Sequence, residues 1–216
     1  RTLTIKHQAN ITGSATVTVV IHDGTNQSTY TFRVTVAPAL SYYWGILAGS
    51  SSGGAGSVDG TGTGASFNAP EALALDSSGN LFVGDWNGFK LRKINTATAQ
   101  VTTIAGNGSR GTQNNANPLQ SSFGYIQGLA VDSTGNLYVL ESPNLNSTLV
   151  IRKIAYDANT GAYGPVTTLF DGAVTGLNVG NGLLVARDGS GLYFSTQNDL
   201  RKFTFATSQV SVVANG

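Results

Sequence analysis

Apolar and polar residues alternate with a period of two along most of this chain, the spacing of half-buried β-strands. From Ser14 to Ile21, Ala15, Val17, Val19 and Ile21 share one face while Thr16, Thr18 and Val20 take the other. Tyr30, Phe32, Val34 and Val36 repeat the pattern within 29–36, and Thr2 to Lys6 reads as a shorter strand. Asp23-Gly24 opens the connection between the two longer strands, a hairpin signal. A seven-stranded sandwich takes about 100 residues, so residues 1–37 read as part of a β-sandwich module. Pro38 has no N–H to give a ladder, and 38–43 reads as a short linker, with Tyr42, Tyr43 and Trp44 packing at the junction.

Beyond the linker a longer repeat governs. GNLFVGD (79–85), GNLYVLE (135–141) and SGLYFST (190–196) align, each preceded by an apolar strand. Each is followed by LRKI (91–94), IRKI (151–154) or LRKF (200–203), and closed by VTTIAG (101–106), VTTLF (166–170) or VSVVANG (210–216). Leu81 to Leu137 is 56 residues and Leu137 to Leu192 is 55. Four strands in a period of that size predict propeller blades, over about 44–106, 107–170 and 171–216. Gly45 to Gly49 matches the closing strand of a unit and is expected as one leading strand. The fold expected is therefore all-β: a partial β-propeller of three four-stranded blades plus that strand, behind a partial β-sandwich module. Propellers close with about 4–8 blades, so this one reads as incomplete, its missing blades lying further along the chain or on other chains. Asp76-Ser-Ser-Gly-Asn80 and Asp132-Ser-Thr-Gly-Asn136 read as turns, Asp capping and Gly or Asn accepting positive φ.

Two resemblances follow from these residues. RTLTIKHQANITGSATVTVVIHDGTNQSTYTFRVTV (1–36) resembles the closing part of bacterial immunoglobulin-like or cadherin-like surface repeats, which implies a stalk or adhesion module of a secreted protein. The unit around Asp59-Gly60, Phe67-Asn68-x-Pro70, Asp76, Gly79-Asn80-Leu81, Asp85 and Arg92-Lys93-Ile94 is similar to an NHL repeat. That resemblance spans about 44–216 and weakens along the chain. The second unit keeps Ser122-Phe123 without the proline and has Glu141 in place of Asp85; the third has Thr196 there and no Phe-x-x-Pro prelude. The resemblance implies an interaction scaffold, or a lyase or lactonase-like hydrolase with His and carboxylates around a channel metal.

Composition narrows these classes. The 216 residues are only 11% charged and carry a net +1, which offers no pull toward nucleic acid or anionic membrane. Residues 41–216 alone hold nine basic and ten acidic residues, a net −1. No apolar run approaches the length of a membrane span, so no membrane insertion is expected. Cysteine is absent, which removes disulfides and thiolate chemistry. The two histidines, His7 and His22, both precede the repeats, so the repeats themselves supply no imidazole ligand or base. Neither a catalytic nor a metal site is expected; a Ca²⁺ cage remains open only if Asp59, Asp76, Asp85, Asp132 and Asp171 converge. No other cofactor is implied. The recurring Arg-Lys pairs (92–93, 152–153, 201–202) read as partners of Asp85, Glu141 and Asp199 that pin neighbouring strands. Asn10, Asn26, Asn107 and Asn146 begin glycosylation sequons.

In an up-and-down sheet the second-to-third loops share a rim with the connections between blades. That rim gathers Trp86, Asn87 and Phe89, the 143–146 loop with Asn144, and the long stretches 49–68 and 106–124 with Arg110, Asn114 and Asn115. These residues form the candidate ligand-binding set, for a protein or glycan; the competing reading has Trp86 and Phe89 merely covering a blade interface. The functional expectation is an extracellular, non-catalytic binding, adhesion or surface-assembly protein, with self-association open to it. Two other classes stay open: an enzyme whose catalytic residues lie outside this chain, and a filament subunit built by strand complementation.

Overall fold

The computed structural model describes residues 13–22, 27–36, 45–145, 148–172, 177 and 179–215. The expected strand at 2–6, the Asp23-Gly24 turn, the linker with Tyr42, Tyr43 and Trp44, and His7, Asn10, Asn26 and Asn146 lie outside these residues. The chain divides into two compact units, 1–45 and 46–216. In the first, β1 (Gly13–His22) and β2 (Gln27–Val36) form an antiparallel hairpin. Its register sets Ala15 opposite Val34, Val17 opposite Phe32 and Val19 opposite Tyr30.

The second unit holds three antiparallel sheets. The first orders β4 (Pro70–Leu75), β5 (Asn80–Asp85), β6 (Lys90–Asn95) and β7 (Gln100–Ala105), with the two-residue β3 (Gly60–Thr61) added outside β7. The second orders β8 (Tyr125–Val131), β9 (Leu137–Ser142), β10 (Val150–Asp157) and β11 (Ala162–Asp171). The third orders β12 (Val179–Val185), β13 (Gly191–Thr196), β14 (Asp199–Thr204) and β15 (Gln209–Asn215). The first strands β4, β8 and β12 lie side by side and line a common cavity of about 250 Å³. The sheets thus radiate from a shared axis as the blades of a partial β-propeller.

The repeat is legible in fine detail. Asp76 Oδ1 accepts the Ser78 and Asn80 N–H groups at 2.9 and 2.8 Å, and Asp132 Oδ1 accepts those of Thr134 and Asn136 at 2.9 and 3.0 Å. Gly79 (φ 79°) and Gly135 (φ 91°) supply the left-handed residue that closes each turn. These carboxylates are turn residues. A bulge falls at one place in all three sheets, between Leu91 and Arg92, Ile151 and Arg152, and Leu200 and Arg201. The extra residue lies each time in the closing strand (Ile104, Leu169 and Val213), opposite the step from the aliphatic residue to the arginine.

The core lies between blades. Ala72, Phe82 and Leu91 of the first sheet pack with Leu129, Val139 and Ile154 of the second. Ala130, Tyr138 and Ile151, on the other face of the second sheet, pack with Leu192, Phe194 and Phe203 of the third. Alternation within each strand therefore serves two interfaces at once. One expectation is corrected: residues 45–50 are irregular rather than a leading strand. Ala48 instead packs with Ala65 and Phe67 on the outer half of the first sheet, against Val83, Ile94 and Val101. A strand needs a neighbour to satisfy its ladder, and no strand edge is paired with 45–50.

Candidate functional site: an aromatic patch held by buried arginine clamps

Each of the first two blades is preceded by a long lead-in segment that folds over its outer half, and one arginine fastens it. Arg92 is fully buried. Its Nη1 donates to Ser66 O at 3.0 Å, and its Nη2 to Val58 O at 2.9 Å and to Asp59 Oδ1 at 2.7 Å. Asp85 Oδ2 lies 3.7 Å from Nη1, and the Phe67 ring centroid 5.0 Å from the guanidinium carbon. Arg152 repeats the arrangement one blade on. It donates to Ser122 O at 3.3 Å, Gln113 O at 3.1 Å and Glu141 Oε1 at 2.8 Å, with its guanidinium carbon 5.2 Å from the Phe123 centroid. The lead-in, which carries little regular structure of its own, is thus tied to the sheet by charge-assisted bonds to backbone carbonyls. In the third blade Arg201 pairs with Asp199 at 2.7 Å, partly exposed.

The carboxylates of the clamps also reach the rim. Asp85 Oδ1 accepts Asn68 N–H at 2.7 Å, and Glu141 Oε2 accepts Gly124 N–H at 2.7 Å. Burial pushes Asp85 up to about 6, opposed by the Asn68 N–H and by Arg92. Burial likewise pushes Glu141 up to about 7, opposed by Arg152 and the Gly124 N–H.

Above Asp85 runs the 86–89 loop. Trp86 N–H donates to Ala69 O at 3.1 Å and Asn87 N–H to Asn68 O at 3.0 Å. A Cβ on Gly88 would collide with the Asp85 carboxylate, so only glycine lets the loop pass so close. Phe89 takes φ 52°, in the left-handed region. The loop leaves Trp86 half-buried with its ring 4.5 Å from that of Tyr125, tilted by 32°. The Phe89 ring stands 5.6 Å from the same tyrosine. Arg110 Nη1 donates to the Tyr125 hydroxyl at 3.1 Å, its guanidinium carbon 5.7 Å from the ring centroid. Asn87, exposed, lines an adjoining cavity of about 300 Å³ with Gly56, Ser57, Asn68, Gly88, Lys90 and Gly108. The Ser57 hydroxyl is buried with no hydrogen-bond partner.

Of the residues expected at this rim, the structure brings together Trp86, Asn87, Phe89 and Arg110. It does not bring Asn114 and Asn115 there. Asn115 bridges to Val166 of β11 and Asn114 Oδ1 accepts from the Thr168 hydroxyl at 3.3 Å, which places both on the outer edge of the second blade. Asn144 is exposed in the loop after β9, where its carbonyl accepts from the Ser142 hydroxyl. Tyr125, the centre of the patch, escaped the sequence reading; its one signal was an aromatic residue opening the strand after Ser122-Phe123-Gly124. Among the described residues, no three His, Cys, Asp or Glu side chains converge to hold a metal ion. No helix there is long and apolar enough to cross a membrane.

No protein-family model matches the chain, and no curated protein matches it. Solved structures do. A protein of unknown function from Bacteroides thetaiotaomicron VPI-5482 is similar at a TM-score of 0.54 and 18% identity, over 92% of this chain and 49% of that one. A chain of a nidogen/laminin complex is similar at 0.48 and 16%, over 68% of this chain and 49% of its own. The PQQ-bound aldose sugar dehydrogenase of Streptomyces coelicolor is similar at 0.48 and 16%, over 64% and 45%. The chain spans about half the length of these structures. At such identities the likeness to the first is one of fold alone.

Proposed function

We propose that the chain is a non-catalytic interaction scaffold whose first two blades, of NHL type, present the Trp86–Tyr125 patch to a protein or glycan partner. The observation that carries this is the convergence of Trp86, Phe89 and Arg110 on one tyrosine, beside a polar cavity with an unpartnered hydroxyl. The half-exposed Trp86 and Phe89 rings, backed by the buried Tyr125 and flanked by amide and hydroxyl groups, suit recognition of a sugar face or a peptide. Of the carboxylates nearest the patch, Glu141 is bonded by the Arg152 guanidinium and the Gly124 N–H, and Asp85 by the Asn68 N–H, with Arg92 3.7 Å from its other oxygen. They serve the scaffold rather than proton transfer. The NHL assignment is supported by the Asp-x-x-Gly-Asn turns and the recurring arginine; the secreted, surface-exposed setting by the resemblance of 1–36 to immunoglobulin- or cadherin-like repeats.

The test is a glycan and protein array screened with the purified chain, its hits then titrated by calorimetry. Trp86→Ala should weaken binding by about tenfold or more, the loss of ~1.5 kcal/mol for one stacked ring, with the thermal midpoint nearly unchanged. Binding that survives Trp86→Ala and Arg110→Ala would remove the patch from the function.

A further inference from the structure

The two junctions between blades are built alike but close differently. Phe82 of β5 and Tyr138 of β9 hold the same place, Phe82 between Ala74 and Lys93 and Tyr138 between Ala130 and Lys153. At the second junction Phe205 stacks on Tyr138 with ring centroids 5.3 Å apart, and the Tyr138 hydroxyl donates to Asp132 Oδ2 at 3.0 Å. At the first junction the phenylalanine has no hydroxyl to give, and Asp76 Oδ2 accepts from the Asn80 amide alone, at 2.8 Å. Tyr156 stands where the third blade has Phe205, two residues beyond Ile154 and Phe203, which pair alike with Leu137 and Leu192. It leans on Tyr163 at 5.1 Å, and Tyr163 meets Phe82 edge-on at 6.1 Å. Between these tyrosines, Lys93 and the turns that begin at Asp76 and Asp132 lies a cleft of about 390 Å³, a volume within the ~300–1,000 Å³ of small-ligand sites. Among the described residues, Lys93 Nζ and the Tyr156 and Tyr163 hydroxyls have no hydrogen-bond partner, whereas Lys202, in the place of Lys93 on the third blade, donates to Ser190 Oγ at 2.8 Å. The cleft is made by first-to-second turns and the ends of β10 and β11, so it opens on the rim opposite the Trp86–Tyr125 patch.

We propose that this cleft binds a neutral sugar, one hydroxyl of which donates to Asp76 Oδ2 as the Tyr138 hydroxyl donates to Asp132 Oδ2. Tyr156 and Tyr163 supply apolar ring surface for the C–H groups of a pyranose, and their hydroxyls, with Lys93, supply donors for its oxygens. Charge disfavours the other classes. An anion would meet both Asp76 and Asp132 across from the one ammonium of Lys93. A calcium ion takes about six to eight oxygen ligands, and these carboxylates are already spent on their turns: Asp76 accepts the Ser78 and Asn80 N–H groups and the Asn80 amide, and Asp132 the matching groups and the Tyr138 hydroxyl. What the cleft offers is one open acceptor position, three open donors and aromatic surface, the complement of a polyhydroxylated ring.

Saturation-transfer NMR on the 216-residue chain with a panel of neutral methyl pyranosides and disaccharides tests this, the best probe then being titrated. Binding of at least one neutral sugar is expected, with its uronate counterpart bound severalfold more weakly. Phe82→Tyr copies the second blade: the new hydroxyl takes Asp76 Oδ2, and affinity should fall by about tenfold or more. Lys93→Gln should lower it by about tenfold, and this variant decides the matter if circular dichroism shows that Phe82→Tyr disturbs the fold. Trp86→Ala should leave the affinity unchanged, which separates this cleft from the rim patch. No saturation transfer from any neutral sugar, preference for the uronate, or an affinity indifferent to both cleft substitutions would overturn the proposal. So would loss of binding with Trp86→Ala, which assigns the sugar to the patch instead.

Discussion

Replacing Arg152 by methionine isolates what the second clamp contributes. Arg152 is fully buried and makes three charge-assisted bonds, to Glu141, Ser122 O and Gln113 O, at 2.8, 3.3 and 3.1 Å. Bonds to a charged group are worth about 1.5–3 kcal/mol each, but Arg152 is also desolvated, and breaking one side of a buried pair costs about 3–5 kcal/mol in practice. Methionine fills most of the aliphatic volume, so the cavity contribution is small. The loss at pH 8 should therefore be about 3–5 kcal/mol. It should shrink at pH 5, where Glu141 is neutral and no longer a stranded charge. Adding Glu141→Gln to Arg152→Met should recover part of the loss at pH 8, because glutamine keeps an acceptor for Gly124 N–H without a buried charge. Urea unfolding of the three proteins at both pH values measures each term, provided the slope with denaturant stays constant. A loss below about 1 kcal/mol, or one equal at the two pH values, would refute the assignment of Arg152 as the fastening of the lead-in.

Two further outcomes follow from the same geometry. Asp85 and Glu141 have folded-state values of about 6 and 7, above the ordinary carboxylate range, so they contribute stability that is complete below their unfolded values and lost as pH rises through 6 and 7. Asp59, Asp76 and Asp132 are held low by their hydrogen bonds despite opposing burial, and their contribution is lost as pH falls below the ordinary range; the thermal midpoint should peak near pH 5 and decline toward pH 8, and a profile rising from 5 to 8 would contradict this. Ala99 and Ser208 close the β6–β7 and β14–β15 turns at φ 58° and 52°, where Gly161 stands in the second blade at φ 70°; Ala99→Gly and Ser208→Gly should each raise stability by about 0.5–1 kcal/mol in urea titrations.

The sequence was most readable where structure is local and repeated. Alternation around Leu81, Leu137 and Leu192, with Asp-x-x-Gly-Asn between strands, located the blades, and the Arg92–Asp85 and Arg152–Glu141 pairings follow from adjacent strands in register. It was least readable in the lead-in segments, which have no period. Nothing in alternation says that Asp59, 33 residues before Arg92, reaches it at 2.7 Å, or that Asn114 and Asn115 run along an outer edge. Yet a signal was present. Gly56 precedes Ser66-Phe67 as Gly111 precedes Ser122-Phe123. In both, the glycine N–H donates to the phenylalanine carbonyl at 3.0 Å, and a Cβ on it would run into the serine hydroxyl. A Gly…Ser-Phe spacing followed by arginine marks the clamp in sequence; the third blade's sequence lacks it, and among the described residues its Arg201 pairs with Asp199, partly exposed.

That arrangement ties the patch to the clamps. Trp86 follows Asp85 directly, and Tyr125 follows Gly124, whose N–H is held by Glu141. The two packed rings therefore belong to different blades, and each follows its own buried carboxylate–arginine pair. Loosening either clamp should misalign the stack before it unfolds the protein. Glu141→Gln keeps a neutral acceptor for Gly124 but weakens the hold on Arg152, so it should reduce the near-ultraviolet dichroism arising from Trp86 beside Tyr125 (taken as the difference from Trp86→Ala). Far-ultraviolet signal should be unchanged, and partner affinity should fall without loss of any contacting residue. Asp199→Asn, which disturbs only the third blade, should leave that dichroism intact. Equal effects of the two substitutions would mean that the rings are aligned by packing alone and that the clamps serve stability only.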